Sequence, residues 1–110
     1  MALISPIDIN QTAVGGAWSF NSQKLVGGYI NQIVVEAANA TTEFDVYITD
    51  EDSVIIYDTR KSSIGVEGQK ALGKLNDSVS IPVKGIITIG VVNSTVATET
   101  FIGKLVLDEG

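Results

Sequence analysis

The chain has 110 residues, a net charge of −6 and neither histidine nor cysteine. That length supports one domain with a single core. The absent cysteines exclude a disulfide framework and thiolate metal sites, and the negative charge speaks against a phosphate-neutralising surface for nucleic acid.

Val and Ile total 27 against 6 Leu, with 9 Thr beside them. Such β-branched side chains are stiff at χ1 and fit a pleated sheet. Residues 1–16 are irregular in pattern, with Pro6, Gly15 and Gly16 as breakers. Ile4, Ile7 and Ile9 make this stretch too apolar to hang free, so it reads as an extended arm that packs on its own sheet or on a neighbouring subunit. Residues 17–21 form a short strand with Trp18 and Phe20 on one face. Gly27 and Gly28 turn the chain. Residues 29–36 form a longer strand, with Ile33 and Val35 on one face and Ile30 and Val34 on the other, as in a covered or central strand. Residues 37–42 are a loop of small side chains.

Phe44, Val46 and Ile48 then alternate with Asp45, Tyr47 and Thr49, and period two puts one row on each face of a strand. Asp50, Glu51 and Asp52 break the run, and residues 54–57 restart it, which reads as a hairpin tip. Residues 58–77 are a long connection containing Gly65, Gly68 and Gly73, with room for one helical turn near residues 69–75; connections this long are usually functional or disordered. Val79, Ile81 and Val83 alternate with Ser78, Ser80 and Pro82, a strand near an edge because proline cannot donate to the ladder. Lys84 and Gly85 turn the chain into a buried strand at 86–92. A polar turn follows, and residues 100–107 close the domain with Phe101, Leu105 and Leu107 on one face. The fold class is therefore all-β: a single antiparallel β-sandwich of about seven to eight strands, jelly-roll or immunoglobulin-like, with a small barrel left open. The arm occupies residues 1–16 and the sandwich residues 17–110.

The chemistry available is narrow. Without histidine or cysteine the usual nucleophile–base pairs are absent, and the acids lie mostly in turns, so an enzyme is not expected and no catalytic residue is assigned. The Asp50–Asp52 acids invite a calcium reading, but Val54 stands where a third loop ligand belongs; a charged hairpin tip is favoured, with no metal and no cofactor. Trp18, Tyr47 and Tyr57 could stack on a sugar, although Trp18 with Phe20 at strand spacing is more simply core. The connection from 59 to 77 carries Arg60, Lys61, Lys70 and Lys74 in an otherwise acidic chain, and could meet an acidic partner or simply be solvated. The run at residues 86–92 is too short for a membrane span, and residues 1–6 lack the basic and long apolar regions of a signal peptide. The Asn-X-Ser/Thr triplets at Asn10, Asn39, Asn76 and Asn93 read as turn composition.

Four segments, in order, resemble small β-sandwich proteins of tailed bacteriophages and prophages. Residues 28–35 (GYINQIVV) are similar to their opening strand, residues 44–52 (FDVYITDED) to their Asp-rich hairpin, and residues 83–93 (VKGIITIGVVN) to a later strand. Residues 100–107 are similar to their closing strand. The chain departs from the pattern at Ser53, where relatives tend to carry glycine, and at residues 37–40, where they tend to carry proline; both departures concern turn geometry. The resemblance implies a virion structural protein, a decoration (cement) protein on the capsid exterior, assembled in the host cytoplasm. Its partners would be the major capsid protein and further copies of itself, with a trimer as the guess, and neither nucleic acid nor membrane. The contacts expected are Ile4, Ile7 and Ile9 of the arm and Arg60, Lys61, Lys70 and Lys74 of the long connection. Removal of residues 1–12 would then abolish shell binding and leave a folded domain. A carbohydrate-binding or adhesin-like module, or a tail or neck component, is the alternative.

Overall fold

The computed structural model describes residues 3–60 and 71–108, and of residues 3–5 the backbone alone. These residues form nine strands and no helix: β1 Leu3–Thr12, β2 Trp18–Asn21, β3 Leu25–Ala37, β4 Glu43–Thr49, β5 Ile55–Asp58, β6 Ala71–Leu72, β7 Lys74–Gly85, β8 Thr88–Val92 and β9 Thr100–Asp108. The strands build two antiparallel sheets, ordered β1-β9-β3-β7 and β2-β8-β4-β5, with β6 also beside β4. Counted inward from the chain ends, β1 pairs with β9, β2 with β8, β3 with β7 and β4 with β5. One long hairpin rolled onto itself produces that nesting, which is the jelly-roll arrangement of two facing sheets. The immunoglobulin-like and barrel topologies are thereby set aside.

Alternation decides the core. Phe44, Val46 and Ile48 of β4 meet Ile89 and Val91 of β8 on one inner face, and Ile33, Val35, Phe101, Leu105 and Leu107 line the other. Full burial of each such side chain is worth roughly 1.5–3 kcal/mol. Trp18 stacks on Phe20 at 6.0 Å between ring centroids.

Strand β3 departs from the expected facing. Ile30 is buried together with Ile33 and Val35, while Val34 stays outside. Ile30 stands opposite Leu107 and Gln32 opposite Val106, so β3 spends one extra residue, Asn31, at that point. A bulge of one residue moves every later side chain to the other face. The Asn31 side-chain amide donates to Asp108 Oδ2 at 2.7 Å and pins the bulge. Gly27 and Gly28, expected to turn the chain, lie inside β3 at φ 134° and 143°. They coincide with a register shift against β7, and their backbone conformation is one that side chains with a Cβ rarely adopt.

The arm expectation is also corrected. Residues 3–12 are the outer strand of the first sheet, paired with β9 along its length, and Pro6 does not break the strand because the register shifts between Ile4 and Ile7. Of the two places left open for the segment, its own sheet receives it. Ile9 is 3% exposed and part of the core, so removal of residues 1–12 would open the sandwich instead of trimming an appendage. Pro82 lies in β7, an edge strand, as the sequence implied.

The long connection has an unexpected frame. Along the free side of β4, Tyr57 faces Ile48, Asp58 faces Tyr47, and the Thr59 N–H donates to Val46 O at 3.0 Å. Two positions further along, Ala71 faces Phe44 and Leu72 faces Glu43. A single residue would bridge Thr59 to Ala71 in register, so β5 and β6 lie in one line along β4. Of the turn allowed near residues 69–75, Ala71 and Leu72 are strand and the remainder up to Lys70 lies outside the described residues. A variant joining Arg60 directly to Ala71 is expected to fold cooperatively with an undiminished thermal midpoint, because the two ends already lie in line along β4 and a shorter connection costs less closure entropy. Loss of a cooperative transition in circular dichroism would contradict this frame.

Candidate interaction surface

The residues expected to contact a partner do not converge. Ile9 is inside the core and Ile7 packs half-buried against it. Ile4 lies on β1 opposite Leu107. Lys61 and Lys70 fall outside the described residues. Lys74 is exposed at the start of β7, opposite Glu36 on the outer sheet face.

Arg60 is already occupied. Its Nε and Nη2 each reach the Asp58 carboxylate at 2.9 Å, and its guanidinium carbon sits 5.5 Å from the Tyr47 ring centre. That two-point pairing raises the Arg60 pKa above its usual range. Tyr47 in turn lies across Gly90, where a Cβ would strike its ring. The start of the basic connection is therefore folded onto the outer face of the second sheet.

The three aromatics do not form a platform. Trp18 is 7% exposed, between Phe20 and Phe101. Tyr57, on the inner side of β5, donates its hydroxyl to Asp77 Oδ2 at 2.8 Å and so ties the β5 and β7 edges of the two sheets together. Burial first, and then the Asp77 acceptor and its charge, push the phenol pKa well up. Iodide is expected to leave native Trp18 emission almost unquenched; quenching equal to that of the unfolded chain would contradict the burial.

Besides Asp108 at the β3 bulge, two further buried carboxylates went unrecognised in the sequence. Asp45, 4% exposed, accepts from Asn93 Nδ2 at 3.0 Å and from Thr59 Oγ1 at 3.2 Å. Glu99, also 4% exposed, accepts from Thr42 Oγ1 at 2.5 Å, Asn39 Nδ2 at 3.0 Å and the Thr100 N–H at 2.9 Å. The Thr42 hydrogen bond, aided by Asn39 and Thr100, holds the Glu99 carboxyl below its ordinary range although burial opposes this. Both acids are structural posts. The Asp50 carboxylate is likewise used locally, with Oδ1 accepting the N–H groups of Asp52 and Val54 at 2.9 Å each. The tip closes with Ser53 at φ 64°, a left-handed position that glycine fills more easily. Among the described residues no group of three or more acidic side chains is arranged to hold a metal ion.

Val14, Leu72, Val96 and Ile102 are exposed elsewhere on the molecule, but exposed apolar side chains stand together with a run of acids at the end of the sandwich formed by the β2–β3, β4–β5 and β7–β8 connections. Val26 is 90% exposed there, and Val54, Ile55 and Ile86 are exposed with it. A shallow cleft of about 310 Å³ lies beside them, lined by Asp50, Glu51, Asp52, Ile56, Pro82 and Lys84 among others. An apolar rim beside acids suits contact with another protein. The sequence signal was present in Val54 and Ile55 directly after the acidic turn, but it read equally as buried strand.

No family model and no curated protein matches this chain. Among solved structures, the Agl-KA catalytic domain is similar over 94% of this chain and 21% of its own, at 14% identity and a TM-score of 0.45. The infectious bursal disease virus Gt strain structure is similar over 94% of this chain and 29% of its own, at 9% identity and a TM-score of 0.37. The Gx strain structure of that virus covers 96% and 32%, at 12% identity and a TM-score of 0.36. The chain thus spans between 21% and 32% of the length of these structures. At such identities and scores the likeness carries over neither activity nor partner.

Proposed function

We propose that the chain is a virion structural protein of a tailed bacteriophage, a decoration protein that binds the major capsid protein on the outside of the shell and stabilises it, with no catalytic role. The observation that supports this most is the order of the phage-like segments on the strands. Residues 28–35 lie in β3, residues 44–52 run along β4 into its acidic turn, residues 83–93 cross from β7 through β8, and residues 100–107 lie in β9. Jelly rolls serve viral capsid and lectin domains alike, so the fold leaves both classes open and the segments favour the first.

The physical demands agree with the reading. A coat exposed after release from the cell must hold together without disulfides, and this sandwich does so with a continuous apolar core and buried, hydrogen-bonded acids. Modest contacts repeated over a lattice gain strength through effective concentration. The exposed apolar and acidic end is the surface assigned to the shell, in place of the arm. The burial of Trp18 and the engagement of Tyr57 with Asp77 take two of the three aromatics away from a sugar-binding alternative.

Gold-labelled antibody on intact virions tests the location. Label over the head surface is expected. Label confined to the tail or neck would move the protein there, and no label on virions that contain it would place it inside.

A further inference from the structure

Each sheet ends in two outer strands, and three of the four are unsuited to pairing with another chain. Strand β7 carries Pro82, Lys74 and Lys84 and two register shifts against β3, the usual guards against strand addition. Strands β2 and β5 have 4 residues each. Strand β1 differs: from Ile7 to Thr12 it runs in unbroken register with β9, from Leu105 to Thr100, without proline or lysine. No other described strand lies along its far side.

The direction of its backbone groups follows from one bond. The Ala13 N–H donates to Glu99 O at 2.8 Å, and hydrogen-bonded positions alternate in an antiparallel pair. Ile7, Ile9 and Gln11 therefore turn their N–H and C=O groups toward β9, whereas Asp8, Asn10 and Thr12 turn theirs to solvent. On the sheet faces, Ile9 is buried in the core while Asp8, Asn10 and Thr12 are exposed.

We infer that this edge pairs with β1 of a second copy of the chain, antiparallel about a twofold axis at Asn10. In that register Asn10 faces Asn10 of the second copy and Asp8 faces Thr12, so every outward group is used, in about six backbone hydrogen bonds. The neighbouring registers fail. Centring on Asp8 sets two carboxylates face to face and pairs Asn10 with Pro6, which has no N–H. Placing Asp8 opposite Asn10 asks Pro6 to donate to Thr12. A slip the other way sets Asp8 against Val14, whose N–H already donates to Ala17 O at 3.0 Å. The two first sheets become one continuous sheet, and the pair closes at two copies, not at the trimer expected from the resemblance. An edge this short falls below the roughly 1,000 Å² of a stable free interface, so pairing is weak in dilute solution and strengthens where copies are held side by side.

The chain has no cysteine, which makes cross-linking decisive. Facing residues at a hydrogen-bonded position lie about 5.5 Å apart between Cα atoms, within disulfide reach. Under mild oxidation of the full-length protein, Asn10→Cys is expected to form a covalent dimer about tenfold faster than Asn76→Cys on the guarded β7 edge, through its higher effective concentration. An Asp8→Cys and Thr12→Cys mixture should cross-link to each other faster than either does alone. Asn10→Pro, which removes only an outward N–H, should abolish the concentration-dependent association of the cysteine-free chain in sedimentation velocity. Equal dimer rates for positions 10 and 76, self-linking at position 8 faster than at position 10, or a cysteine-free chain that stays monomeric at millimolar concentration would overturn the inference. An edge that takes a strand of another protein instead would give these same negative results. None of the measurements involves a shell, so their failure leaves the decoration reading standing, and the reverse.

Discussion

Truncation of Phe101 to alanine will destabilise the protein by about 3–5 kcal/mol, the range for removing a buried aromatic. Phe101 is fully buried on β9 of the first sheet. Its ring meets Phe44 of β4 edge-on, at 5.0 Å and 75°, and Trp18 of β2 at 6.0 Å and 53°. It is thus the side chain by which one sheet inserts between two aromatics of the other, and such pairs add roughly 0.5–1.5 kcal/mol beyond burial. Domains of this kind hold about 5–15 kcal/mol in all, so the variant should melt on the order of 15 °C or more below the wild type. Urea unfolding followed by Trp18 fluorescence measures the loss. Phe101→Leu, which keeps most of the volume, should lose less than half as much. A Phe101→Ala cost near that of an exposed Ile102→Ala would mean that the two sheets do not pack through this ring.

The second large effect is expected at Glu99. This carboxylate precedes β9 and gathers Asn39 and Thr42 from the β3–β4 crossover. The same crossover is tied to Gly73, whose N–H donates to Thr42 O at 2.7 Å. Glu99→Ala strands three donors in a buried place and should cost about 2–4 kcal/mol, since each hydrogen bond to a charged group is worth roughly 1.5–3 kcal/mol and relaxation recovers part. The pH dependence has a definite sign. The folded pKa lies below the ordinary 4.5, so the unfolded chain binds the proton more tightly. The stabilisation is complete above about pH 4.5 and is lost as pH falls through the folded value. The gap between wild type and Glu99→Gln in urea midpoints should therefore narrow on going from pH 7 to pH 3. A gap that is constant or widens over that interval would show that the charge is not what the site uses.

These two residues also mark where sequence reading succeeds and stops. Phe101 was legible because it sits in a period-two row with Leu105 and Leu107, and the same rule placed Phe44, Val46 and Ile48 correctly. Period two holds only while the ladder is regular, which is why Asn31 inverted the expected facing of Ile30. Pro6 hid β1 for a similar reason: a proline beside a register shift is tolerated at a sheet edge, and nothing local distinguishes that edge from a loose arm. Glu99 and Asp45 could not be found, because the donors Thr42 and Asn93 lie 57 and 48 residues away from them and a buried acid looks like a solvated one until such distant partners are placed. The jelly-roll nesting depends on the same long-range pairing. The basic residues suggested a contact surface by charge alone, and Arg60 turned out to be satisfied by Asp58, two positions before it.

The decoration reading is tested most directly by co-sedimenting the purified protein with expanded, undecorated shells of the phage that encodes it. Saturable binding at a fixed ratio to the major capsid protein is the result expected, with binding lost when Val54 and Ile86 at the exposed end are both changed to aspartate. Absence of binding by the folded wild-type protein at every concentration tried would contradict the account.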